Sequence, residues 1–357
     1  MIYYDHIMPD HFPYILAIDT SCDDTSASVT CGTQLLSNVV ASQTQLHKQY
    51  GGVFPTVAKL AHKENIDAVV HAALKKAHIS STELSVIAVT QGPGLAPSLE
   101  VGIEKAKSLA QELDIPLIPI NHIEGHVLSP LVSPQTKDLP KEFPILSIVV
   151  SGKHTDFIQI NRIGSYERLG FTVDDAAGEA LDKFGRMIDL GYPAGPVIEE
   201  FAKKGDPHKY IFPLPMTTSG NANMSFSGMK TAARRLTEEL KADHDLSQQD
   251  IYDLCASFQY AVFRAITYKL NKLLQDRKFF ALYLGGGVAS NMALRAALRH
   301  CIAPYSLKLH TPYSKRLCID NAAMIGAAAY FHTEEKKNKK SIFTLERRPR
   351  WEIGEAP

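Results

Sequence analysis

Ile15-Leu16-Ala17-Ile18, with Phe12-Pro13 before it and Ser21, Asp24 and Thr25 behind it, returns 130 positions on as Ile145-Leu146-Ser147-Ile148, with Phe143-Pro144 before it and Ser151, His154 and Thr155 behind it. Each copy reads as an apolar strand, a turn of small polar residues and a second strand that alternates apolar and polar positions. Two such hairpins opening two halves of one chain predict a duplicated α/β domain. The Pro-rich stretch from Pro130 to Pro144 is the natural boundary between the halves.

Outward from the hairpins, strand and helix alternate. Residues 85–90 read as a buried strand ending in the turn Gln91-Gly92-Pro93-Gly94, and residues 98–113 as a helix with apolar spacing. Residues 115–120 lead into a histidine pair. In the second half, helices are expected over 174–189, 250–275, 291–301 and 321–331, with a strand over 279–284 running into Gly285-Gly286-Gly287. Such alternation predicts sheets covered by helices. The division that follows is 1–135, 136–332 and a basic tail, 333–357, where Lys336, Lys337, Lys339, Lys340, Arg347, Arg348 and Arg350 sit among few acids. That tail reads equally as a solvated segment or as a phosphate-binding one.

A chain of 357 residues has room for two cores. Lys plus Arg equals Asp plus Glu, 38 of each, so no global field draws it to nucleic acid or to a membrane. Five cysteines without paired spacing argue against a disulfide framework and fit a reducing compartment. The first 14 residues lack the basic and apolar regions of a secretory signal, and no run approaches the roughly 18 apolar residues of a membrane span. A soluble, cytoplasmic protein without a membrane partner is expected.

His122 and His126, four residues apart, fall on one face of a helix, near enough for both imidazoles to hold one metal ion. The alternative is a pair of ordinary surface histidines. A zinc protease is excluded, because its general-base Glu follows the first His directly. Here the acid is Glu124, which points about 200° away from His122 on a helix. Asp320 reads from its position as a helix cap, with a third metal ligand as the other reading. Two imidazoles, one carboxylate and open positions suit Fe(II) or Zn(II).

Four turns lack bulk where a phosphate would need close backbone approach: Thr20–Asp24, Ser151–Thr155, Gly195-Pro196 and Gly285–Asn291. Tight packing turns also need glycine, but four of them in a duplicated chain favour a nucleotide. The spacing matches neither a Walker loop nor a dinucleotide fingerprint.

With these residues in place, the sequence resembles the bacterial TsaD (YgjD) branch of the tRNA threonylcarbamoyladenosine-forming enzymes, formerly labelled glycoproteases. The ordered motifs are Ile18–Thr25, Tyr50–Pro55, Gly92–Leu95, His122–His126, Ser151–Thr155, Asp174–Lys183, Ser225–Thr231, Gly286–Asn291 and Cys318–Met324. They span nearly the whole chain. The resemblance implies a duplicated actin-like (ASKHA) fold with two α/β subdomains around a nucleotide cleft. It implies one divalent metal on His122, His126 and Asp320, against the capping role that position alone suggests, with Fe(II) favoured and Zn(II) second.

Further implications concern the donor and the acceptor. Threonylcarbamoyl-AMP would be held by Val149, Val150, Ser151, Gly152, Lys153, Asp182, Gly195, Glu199 and Asn291. Asp23 and Asp24 would stand near its reacting end. The reaction implied is acyl transfer to the exocyclic amine of the adenine 3′ of the anticodon, position 37, in tRNAs reading ANN codons. Helper proteins are implied too, a TsaB-like paralogue and a TsaE-like ATPase. The rival readings are an ATP-dependent kinase of the same superfamily and a non-catalytic partner subunit. The chain departs from the family's pattern at Lys153 and Ala194, both usually Gly, at Asp19 and Asp24, usually Glu, and at Met224.

Overall fold

A computed structural model describes residues 12–48, 50–135, 139–333 and 344–355. The first half builds β1 (Tyr14–Asp19), β2 (Asp24–Cys31), β3 (Gln34–Ser42), α1 (Thr44–Lys48), α2 (Pro55–Ala77), β4 (Val86–Gly92), α3 (Ala96–Glu112), β5 (Leu117–Asn121) and α4 (His122–Leu128). The second half builds β6 (Ile145–Val150), β7 (Thr155–Arg162), β8 (Ser165–Phe171), α5 (Ala177–Met187), α6 (Gly195–Ala202), α7 (Ser227–Asp243), α8 (Gln248–Asp276), β9 (Leu282–Gly285), α9 (Met292–Ile302), β10 (Leu309–His310) and α10 (Ala322–Tyr330).

The repeat in the sequence is a repeat in topology. One sheet runs β3-β2-β1-β4-β5 and the other β8-β7-β6-β9-β10. In each, the hairpin strands pair antiparallel and the inner strand then pairs parallel with the next two. The central strands β1 and β6 are buried on both faces, so they read as near-continuous apolar runs, broken by Asp19 and Ser147, rather than alternating. Leu16 and Ile18 face the helices outside the first sheet, while Ile15 and Ala17 face inward. In β6, Leu146, Ile148 and Val150 join the core under α5, α7 and α8, and Ile145 and Val149 turn toward the same central cluster as Ile15.

That central cluster also holds Ile123, Val127 and Leu128 of α4 and Met324, Ile325, Ala328 and Ala329 of α10. Helix α10, which the division at residue 332 assigns to the second half, packs on the first sheet, touching all five of its strands. Its face is small enough for this: Gly326 leaves no room for a Cβ, which would stand 2.9 Å from the Thr30 side chain. The linker also begins deeper than a surface connection would, since residues 129–133 are buried and Ser133 bridges to Gln34.

The tail is not a solvated segment where it is described. Leu345 enters the core of the first half and Trp351 is buried. Lys336, Lys337, Lys339 and Lys340 lie outside the described residues. Sequence reading did not single out two helices, α2 and α7, whose buried positions recur at helical spacing but are partly filled by small or polar residues. The buried residues of α2 include Ala58, Ala61, His62 and Ala73, and α7 buries only Met229, Ala233 and Thr237. Among the described residues no helix is long and apolar enough to cross a membrane, and all five cysteines are free thiols.

Candidate functional site

Strand β5 delivers Asn121 to the start of α4, where its side-chain Oδ1 accepts from the backbone N–H of Ile123 at 2.8 Å and Glu124 at 3.4 Å. That cap fixes the first turn, and with it the direction of His122, the first helical residue. His126 follows one turn later, with the two rings at 80° and their centroids 4.7 Å apart. Across from them Asp320 approaches from the loop before α10. Its Oδ1 stands 3.5 Å from Nε2 of His122 and 3.1 Å from Nε2 of His126. One ligand atom from each of the three residues lies within 4.8 Å of the others.

Asp320 is not the helix cap that its position suggested. Asn321 takes that role, accepting from Ala323 N at 3.1 Å, and so leaves the Asp320 carboxylate facing the histidines. Glu124 behaves as helix geometry requires of the far side: its Oε1 accepts from the Tyr166 hydroxyl at 2.7 Å and lies 2.9 Å from Nε2 of His332.

The electrostatics suit a cation. Burial opposes a charge on His122, yet Asp320 and Asp19 outweigh it and push its pKa up to about 10. Burial holds His126 down, and it drives His154 to about 3 with the help of His122, His126 and Lys153. Asp320 lies well below the usual carboxylate range: burial opposes its charge, but the two histidines prevail. Asp19, only 1 % exposed, faces the other ring nitrogen of His122 at 3.7 Å. The Nδ1 atoms of His122 and His126 and the Ser21 hydroxyl are buried without hydrogen-bond partners. Two aimed imidazoles, one carboxylate and a second carboxylate behind His122 form a donor set that fits a single divalent ion.

Asp23 and Asp24 sit in the turn of the first hairpin. Burial raises the Asp24 carboxyl to about 7; a hydrogen bond with Ser42 works the other way, and the charges of Asp23, Asp320 and Asp19 add to the rise. Its Oδ1 has no hydrogen-bond partner. The facing turn of the second hairpin is closed by Ser151 N donating to His154 O, with Ser151 Oγ accepting from the backbone of Lys153 and His154. Lys153 is exposed and does not fold over its own turn. Its Nζ crosses to the first half and stands 3.0 Å from Cys22 Sγ. Val149 and Val150 are buried β6 residues beneath the turn. Gly286, at φ +89°, lies so close to them that a Cβ would meet Val150 O at 2.4 Å. Gly152 opens onto free space.

The remaining candidates lie in α5, at the start and middle of α6 and at the cap of α9, with their polar atoms engaged. Asp182 accepts from the N–H of Ala194 and Gly195, so the start of α6 already holds an anion. Glu199 accepts from Met292 N at 2.8 Å. Asn291 caps α9 and donates to Gln259 Oε1 at 2.7 Å. Sequence reading did not single out Gln259, His62 or Tyr192. Gln259 lies within an unbroken helical pattern and His62 within α2. Tyr192, its hydroxyl pushed well above the usual phenol range by burial and by Asp23 and Asp182 among others, connects the acid turn with this cluster.

A family profile described as tRNA N6-adenosine threonylcarbamoyltransferase matches residues 34–327. Relatives bearing that name include one from Chelativorans sp. (strain BNC1), 41% identical over 96% of this chain and 95% of its own. Another, from Clostridium perfringens (strain SM101 / Type A), is 43% identical over 96% of this chain and 98% of its own. Solved structures with the same fold include T. kodakarensis HypF, at a TM-score of 0.61 and 15% identity, covering 91% of this chain and 49% of that one. The ROK hexokinase of Thermus thermophilus, at 0.50 and 15%, covers 90% and 99%. Those neighbours make the duplicated architecture an actin-like ASKHA fold. With the family profile covering most of its length and relatives above 40% identity along almost all of it, the chain belongs to the tRNA N6-adenosine threonylcarbamoyltransferase family and is a transferase.

Proposed function

We propose that the protein transfers the threonylcarbamoyl group of threonylcarbamoyl-AMP to the exocyclic amine of adenine 37 in tRNAs reading ANN codons, as a cytoplasmic enzyme working with a TsaB-like paralogue and a TsaE-like ATPase. The observation that carries this reading is the convergence of His122, His126 and Asp320 beside the acid turn of the first hairpin. His122 and His126 through Nε2, and Asp320 through a carboxylate oxygen, would hold the ion, Fe(II) first and Zn(II) second. When bound, it supplies Lewis acidity toward the acyl donor.

The chain's own residues do the rest. The amine nitrogen attacks the carbamoyl carbon, the bond from that carbon to the phosphate oxygen breaks, and AMP leaves with the electron pair. Adenine's amine is a weak nucleophile, so orientation and removal of its proton matter. Asp24, with a carboxyl near neutrality, is suited to take that proton, and Asp23 to orient the threonyl end. Ser151, Gly152 and Lys153 would face the phosphate. Asp182, Gly195, Glu199 and Asn291 would define the nucleoside end, with Val149 and Val150 as the floor. Asp19 would keep His122 in the orientation that presents Nε2.

The test is direct. Purified protein with threonylcarbamoyl-AMP and tRNA, with and without the two helper proteins, is assayed by nucleoside mass spectrometry. Modified adenosine should appear in at least one arm, and its absence from both overturns the reading. The double variant His122→Ala/His126→Ala should lose both the stoichiometric metal and the product while keeping its circular dichroism. Metal retained in that variant, measured by elemental analysis, would remove the three residues from the metal site.

A further inference from the structure

The segment that follows the basic stretch runs across the C-terminal ends of β4 and β5. Gln91 Nε2 donates to Glu346 O at 2.6 Å and Arg348 N returns a bond to Gln91 O at 2.8 Å. Gly94 N donates to Pro349 O. The approach is so close that a Cβ on Gly92 would stand 1.8 Å from Arg348 O. Leu345 anchors one end in the core of the first half. Trp351 is buried, with the Arg348 guanidinium 4.6 Å from its ring centroid, and Ile353 packs against the cluster containing Ile123, Val127 and Leu128. This is a docked strap rather than a loose end.

One of its bonds reaches the histidine helix. Trp351 O accepts from Asn121 Nδ2 at 3.2 Å, and Asn121 is the residue whose Oδ1 caps α4. Nδ2 and Oδ1 belong to one rigid amide, so the strap fixes the plane of the group that fixes the first turn of α4. Asn121 itself is buried, 4 % exposed. We propose that the C-terminal strap, through the Trp351 carbonyl and the Asn121 amide, is a positioning element that aims His122 at Asp320. The inference rests on the metal reading of His122, His126 and Asp320.

The experiment separates the two. Zn(II) is the probe, its affinity measured by equilibrium dialysis with elemental analysis on the full chain, on Asn121→Ser, on a chain ending at residue 343, and on His122→Ala. Serine keeps an N-cap acceptor but is too short to reach Trp351. Amide exchange across residues 122–128 is followed in the same proteins without metal. Asn121→Ser should bind Zn(II) about 10-fold more weakly or worse, the scale on which outer-shell partners act. It should also lose protection in α4 with little change elsewhere. The truncated chain should do the same, and a synthetic peptide of residues 344–355 should restore part of the affinity. Wild-type affinity in both strap variants overturns the proposal, and so does unchanged protection of α4. Zn(II) affinity retained by His122→Ala overturns the metal reading instead, and the exchange data alone then decide whether the strap holds α4.

Discussion

Asp24 is asked to carry a charge where the fold resists one. Burial and the neighbouring acids raise its carboxyl from 3.8 to about 7. A group whose folded pKa is raised loses stability as pH climbs from its unfolded to its folded value, here from about 4 to about 7. Asp24→Asn should therefore raise the melting temperature of the metal-free protein at alkaline pH and leave it unchanged near pH 4, where Asp24 is already neutral. An equal rise at both would assign the effect to packing. As a proton acceptor Asp24 must be ionised, so turnover should fall as pH drops below about 7, and the Asn variant should lose both the rate and that limb. At Lys153 the exposed side chain carries its ammonium across to Cys22 in the first half. Exchanging that partner for a phosphate gains a charge-assisted bond of about 1.5–3 kcal/mol, so Lys153→Gly should weaken AMP binding about tenfold or more by calorimetric titration. Equal affinities would take Lys153 out of the donor site.

Elements hold the acid turn as firmly as residues do. His62, fully buried on α2, donates through Nε2 to Cys22 O at 3.1 Å and accepts at Nδ1 from the Thr25 hydroxyl at 2.7 Å. Those partners assign the neutral tautomer, and burial keeps the ring's pKa low. Gln43 joins the same nitrogen, sends its own N–H to Asp23 O, and takes a bond from His47 Nε2. The end of β3, α1 and α2 thus clamp the turn Cys22-Asp23-Asp24 from beneath. Removing the ring leaves several buried groups unpaired, at a cost of about 1–3 kcal/mol. His62→Ala should lower both the melting temperature and kcat, by tenfold or more for kcat, while metal content stays at one equivalent. Undiminished kcat in a folded variant would mean that the turn holds its shape without His62.

At the scale of the molecule, zero net charge leaves tRNA contact to local patches. Docking of the strap narrows the choice, because Arg347 pairs with Glu100 at 2.9 Å and Arg348 with Glu355 at 3.3 Å. Lys336, Lys337, Lys339 and Lys340, outside the described residues, remain the densest charge in the sequence. Neutralising these four should weaken tRNA binding and flatten the log–log salt slope by up to about four units. An unchanged slope would move tRNA recognition to another face or to a partner subunit.

What the sequence determined by itself is local or repeated. Alternation and spacing in residues 12–25 and 143–155 were enough for the duplicated hairpins, because strand period and turn chemistry act over a few residues. The spacing of His122 and His126 put both rings on one face, and the offset of Glu124 kept it off that face, since helix geometry is fixed by backbone hydrogen bonds. The long motif series supplied the family. Tertiary structure alone decided the rest. Asp320 lies 194 residues from His126, and whether it caps a helix or faces the histidines depended on Asn321 taking the cap. The return of α10 to the first sheet, the crossing of Lys153 to Cys22 and the docking of Trp351 on Asn121 join residues far apart in the chain. Such pairings are selected by burial and packing of the whole molecule, which leaves no period or spacing in the sequence to read.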